Sequence, residues 1–173
     1  PYLPFREILG QLTGDVEALW AAGAMTREQA CRLWSALPLT SEALVETGPE
    51  LIETFLLPGA LLRRARAVAS GSESWLIRLA DQVEQKPVTR AGISGPQQSD
   101  LFEQYTRLLQ ALARQVPLVL VLDDLQWADA GSIHLLFHLG RHLAGSRILI
   151  LGAYRPEEVA SGRDGTRHPI EPV

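Results

Sequence analysis

The chain has a single cysteine and a single methionine, and Lys86 is the only lysine among its sixteen basic residues. Lone Cys31 excludes an internal disulfide and any cysteine-based zinc site, and it suits a reducing cytoplasm, the location expected here. In an apolar-periodic helix it reads as a small buried side chain. No apolar run approaches the ~20 residues of a membrane span, so no membrane partner is expected. A net charge of -4 over 173 residues sets up no field that would gather nucleic acid, and no direct nucleic-acid binding is expected. Arg63, Arg64 and Arg66 form the one short basic piece, LLRRARAV, which reads as a solvated helix face because no aromatic platform accompanies it. There is no initiator methionine or signal-peptide pattern, and the chain stops in HPIEPV soon after a strand-like segment, so a piece of a longer protein is expected.

What is present is ordinary globular material, 46% hydrophobic and 21% charged. EILGQL, VEALWAAG, EQACRLWSAL, SEALVETG, ELIETFL, ALLRRARAVAS and SWLIRLADQVEQ each space apolar residues three or four apart, with Gly, Pro or Ser between them. They predict a helical segment over residues 1–98, with Trp20, Trp34 and Trp75 in its core. No repeat of solenoid period runs through it. KPVTRAGISGPQQ, Lys86 to Gln98, predicts a loop.

Residues 99–173 read differently. Leu101, Phe102, Tyr105, Leu108, Leu109, Leu112 and Val116 make the stripe of a helix lying against a sheet, with Asp100, Glu103, Gln104, Arg107 and Arg114 opposite. After Pro117, LVLVL is an unalternating apolar run, as in a parallel strand covered on both faces. A helix from about Ala130 to Leu143 follows, with Ile133, Leu136, Phe137, Gly140 and Leu143 on one side, and then the strand RILILGAY. Strand, helix, strand predicts a parallel βαβ unit, and in open α/β sheets chemistry lies beyond the carboxyl ends of the strands. Asp123 and Asp124 end the first strand and Arg155 follows the second, so the three should face one crevice.

Two adjacent carboxylates repel and resist desolvation. One reading gives them a job: one acid supports hydrated magnesium, its neighbour activates water, and the arginine meets a terminal phosphate. The other makes one acid a helix cap and leaves the other solvated. Asp129, directly before the helix, is the better cap candidate. On spacing alone both readings stand.

DDLQWADAGSIHLLFHLGRHL followed by ILILGAYRPEEV resembles the second half of the ATPase core in AAA-type, origin-recognition-complex-like ATPases of large bacterial signalling regulators, the STAND class. PYLPFREIL resembles the segment that follows the second core strand there. The resemblance implies an α/β fold, part of a three-layer P-loop NTPase, in which residues 1–98 and 99–173 belong to one domain. It implies ATP and magnesium as cofactors. Asp123 matches the Walker B acid that supports the metal, Asp124 the acid that activates water, and Arg155 the sensor arginine of the next strand. Gln126, Trp127 and Asp129 match the family's LQWAD turn, with a positioning role. Asp124 stands where many AAA relatives carry Glu, and its shorter side chain suits slow hydrolysis in a nucleotide-dependent switch. Partners implied are tetratricopeptide repeats and a DNA-binding or cyclase effector domain within the parent chain.

One family element is missing. No G-x-x-x-x-G-K-[ST] string occurs, and the resemblance places that phosphate-cradling loop upstream of PYLPF. The alternative is a non-catalytic helical interaction module with a scaffold βαβ tail. His134, His138 and His142 recur every fourth residue on one helix; without an HExxH glutamate they read as a polar face rather than a zinc site.

Overall fold

Proline and threonine start most of the helices. A computed structural model of the chain describes residues 1–69, 71, 73–84, 97–161 and 170. Helices α1 (Leu3–Leu12), α4 (Pro49–Phe55) and α5 (Pro58–Val68) each carry proline in the first turn, where its missing N–H costs nothing. α3 (Arg27–Thr47) opens on a capping box in which Thr26 and Gln29 satisfy each other's backbone N–H. α2 (Glu17–Ala21) and α6 (Ser74–Glu84) complete the helical layer, and α7 (Gln98–Gln115) leads into the sheet region.

α3 runs unbroken through Pro38, where the sequence reading placed a joint between two helices. The proline removes one helical hydrogen bond, a cost of about 3 kcal/mol. Leu37, Ala43 and Leu44 on either side of it are buried, and α3 packs against α1, α4, α5, α6 and α7. That burial outweighs the missing bond.

Other expectations in the helical layer are corrected as well. Cys31 is exposed. Trp20 is exposed too, because α2 buries no residue at all, and its ring only edges against half-buried Trp34 at 6.2 Å; Trp75 is buried. Arg64 is not part of a solvated face: Nε donates to the Thr13 carbonyl at 3.0 Å and the guanidinium meets Asp15 at 3.3 Å, tying α5 to the end of α1. The loop containing Lys86 lies outside the described residues up to 96, and Gln98, read as loop, begins α7.

α7 buries its stripe as read, except for Val116. The residue before a proline is pushed into extended backbone, and Val116 (φ -133, ψ 138) leaves the helix and the core for that reason. One side of α7 packs on α3 and α4, the other on α8 (Ala130–His142) and β2 (Ile148–Gly152). A single buried cluster runs from Phe5 and Leu44 through Tyr105 and Leu109 to Leu139.

β1 (Leu118–Leu122) and β2 pair in parallel, from Leu118 opposite Ile148 to Leu122 opposite Gly152. The expected burial on both faces is not observed among the described residues. Leu120 and Leu122 are buried, whereas Val119 and Val121 are 61% and 65% exposed and Leu149 and Leu151 are 53% and 48% exposed. Among the described residues, helices cover one face only.

α8 also departs from its predicted stripe. Ile133 and Leu143 face the core, but Leu135 and Leu139 join them, Leu136 and Phe137 are half-buried and Gly140 is exposed. The chain start packs closely on this helix, as a Cβ at Gly131 would stand 2.9 Å from the Tyr2 ring. Among the described residues no helix is long and apolar enough to cross a membrane.

Candidate functional site

The turn after β1 is pinned from both sides. Leu122 accepts a hydrogen bond from the Ala153 N–H at 2.8 Å and Leu125 donates to the Ala153 carbonyl at 2.9 Å, so the parallel ladder continues past both strands. Leu125 lies over Gly152 so closely that a Cβ there would be 2.6 Å from its Cδ1. Between these anchors Asp124 takes left-handed backbone (φ 54, ψ 41), a conformation Asp tolerates better than most residues, and a short 3-10 turn, Leu125–Trp127, follows.

Asp123 and Asp124 are both exposed, which removes the desolvation problem their sequence poses. Asp123 Oδ1 accepts the Asp124 N–H at 2.8 Å, and Asp124 Oδ1 accepts from Gln126 Nε2 at 2.7 Å. No hydrogen bond from the described residues reaches either Oδ2. The two acids line a groove of about 360 Å³ whose far side is α1, through Leu3, Glu7 and Gln11. Magnesium is ordinarily held by one or two carboxylates together with water and phosphate oxygens, and this donor set fits a hydrated ion.

Arg155 joins the site only through its backbone. Its N–H donates to Gln126 Oε1 at 3.1 Å, but its guanidinium turns to Glu158 at 3.0 Å and does not line the groove. The single crevice expected for all three residues therefore holds the acids and not the arginine side chain. Gln126 is buried, while Trp127, its neighbour in the turn, is exposed and lines the groove.

Asp129 caps α8, accepting from the Ser132 N–H at 3.1 Å and the Ser132 hydroxyl at 2.7 Å. It also accepts the Tyr2 N–H at 2.9 Å. Burial pushes its carboxyl up, but the bonds from Ser132 and Tyr2 outweigh that and hold it below the usual carboxylate range. Tyr2, itself left-handed at φ 61, and Glu7, which lines the groove together with Asp123, Asp124 and Asp129, escaped the sequence reading. Both lie far from the DD motif along the chain, and α1 gave no local sign of facing it.

His134 is exposed as a polar face requires, but His138 stacks on His142 with centroids 4.1 Å apart and lies against Phe102 at 5.5 Å. Burial, then the nearby charges of His142 and Arg141, push the His138 imidazole below its ordinary value against a weaker pull from Glu103. Among the described residues no group of three or more His, Cys, Asp or Glu is placed to hold a metal ion.

A parallel βαβ unit with paired carboxylates beyond its carboxyl edge defines an α/β domain with an acid-lined site at the strand ends. Residues 1–151 match the family model described as AAA ATPase domain, and the chain belongs to that family. No curated protein and no solved structure matches it. Nucleotide-dependent activity, with nucleotide and in general magnesium as cofactors, is what the family implies.

Proposed function

We propose that this chain supplies the acidic wall of a magnesium–ATP site and works as a slow, nucleotide-dependent switch of the STAND class within a cytoplasmic bacterial regulator. Tetratricopeptide repeats and a DNA-binding or cyclase effector domain of the same protein are its proposed partners. The observation that carries this reading is the pair of exposed carboxylates beyond β1, each with Oδ1 hydrogen-bonded and both lining the groove.

Asp123 would hold the hydrated metal, which when bound neutralises phosphate charge. Asp124 accepts a proton from the water that attacks the terminal phosphorus, as the bond to the ADP oxygen breaks. Arg155 reaches the terminal phosphate only by leaving Glu158. Arg155 is exposed but Glu158 is half-buried, so that release leaves a partly buried carboxylate without its cation. The three-layer P-loop fold belongs to the same proposal: the bare face of Val119, Val121, Leu149 and Leu151 is a surface a third layer would cover.

The non-catalytic interaction module keeps one specific argument. The groove residues opposite the acids include no lysine or arginine that could meet a phosphate. Calorimetric titration of ATP with magnesium into the full-length protein separates the two. Asp123→Ala is expected to weaken magnesium–ATP binding at least about tenfold, with ATP lacking metal affected far less. No nucleotide binding, or binding indifferent to Asp123→Ala, rejects the ATPase reading.

A further inference from the structure

Gln126 is only 4% exposed, unusual for a glutamine in a turn beside a groove. Its carboxamide uses both ends. Nε2 donates to Asp124 Oδ1 at 2.7 Å, and Oε1 accepts the Arg155 N–H at 3.1 Å. One planar group thus joins the acid beyond β1 to the backbone beyond β2. The backbone on either side of Gln126 is fixed independently, by Leu125 N–H on Ala153, by Trp127 N–H on Asp124 and by Leu125 packed on Gly152. Its position is therefore imposed by the sheet and is not set by the bonds its side chain makes.

We propose that Gln126 is a positioning residue: it orients Asp124 with one oxygen engaged and the other presented to the groove, and it couples that carboxylate to Arg155 and the start of α9 (Pro156–Ser161). This rests on the reading of Asp124 and Arg155 given above. Only a primary amide serves both bonds here, because it offers a donor to a carboxylate and an acceptor to a backbone N–H in one plane. A carboxylate of the same shape sets anion against anion at Asp124. An aliphatic side chain leaves the Arg155 N–H without its partner and lets the Asp124 carboxyl rotate. A ligand that moves the Asp124 carboxylate moves the amide bonded to it, and the Arg155 N–H on the other end of that amide feels the change.

The test uses the full-length protein with magnesium–ATP and the variants Gln126→Leu and Gln126→Glu, the second keeping the volume of the side chain. Each is expected to lower kcat at least about tenfold, with nucleotide Kd changed less than about threefold, as loss of a positioning contact requires. In nuclear magnetic resonance spectra the Arg155 amide is expected to shift on adding magnesium–ATP to the unsubstituted protein. In both variants it starts from an altered position, exchanges faster with solvent and no longer responds. A purely structural role for Gln126 moves thermal stability but not this split between kcat and Kd, nor the ligand response of one amide. If the unsubstituted protein turns over ATP and either variant matches its kcat, or the Arg155 amide is indifferent to the substitutions, the assignment is wrong. A protein that binds no nucleotide overturns the reading of the site, and the assignment with it.

Discussion

Asp129 does the structural work that its neighbours Asp123 and Asp124 are spared. It satisfies Ser132 at the start of α8 and holds Tyr2, so Asp129→Ala should destabilise the fold by about 1–2 kcal/mol, measurable by urea denaturation. Because the folded carboxyl is held below its ordinary value, this stabilisation is full above the usual carboxylate pKa of about 3.9 and is lost as pH falls through the lower folded value. The acid limb of the stability profile should flatten in Asp129→Asn. His138 also has a lowered pKa, but for a base that means the neutral form is favoured on folding. Its contribution is present above about 6.5 and declines as pH falls, and His138→Phe should remove that slope. Ser41 is fully buried with no partner for its hydroxyl among the described residues, so Ser41→Ala is expected to leave stability unchanged or raise it by up to about 1 kcal/mol in thermal unfolding.

At the level of elements, β1 gives the sharpest contrast. Leu120→Ala should cost about 2–5 kcal/mol, since Leu120 points into the core, whereas Val119→Thr, one residue away on the bare face, should cost less than about 0.5 kcal/mol by the same denaturation assay. LVLVL identified the strand but not its environment, because an all-apolar run records burial in the complete fold and not which face the described helices cover. The amphipathic stripe of α7 from Leu101 to Leu112 was legible, being set by local period, and only Val116, before Pro117, fell outside it. Pro38 misled for the opposite reason: the penalty of proline is local, while the burial that overrides it comes from other helices packed on α3. The rotation of α8 was hidden because the elements it packs on, α1 and α7, are not its neighbours in the sequence pattern that was read.

Across the whole molecule, the helical layer and the βαβ unit share one core, with α7 between them, and the groove forms where α1 passes the carboxyl end of β1. Motif reading singled out the acids as candidates and found the cap, since both are written in contiguous residues. It could not find Glu7, Tyr2 or the bridge made by Gln126, since these exist only once α1 and the two strand ends are brought together. The central claim is that Asp123 and Asp124 form the metal-bearing wall of a nucleotide site. Manganese in place of magnesium tests it most directly, through the paramagnetic broadening of backbone amides in the full-length protein with ATP. The account predicts broadening strongest at Asp123 and Asp124, abolished by Asp123→Ala. Broadening elsewhere, or unchanged in that variant, would contradict it.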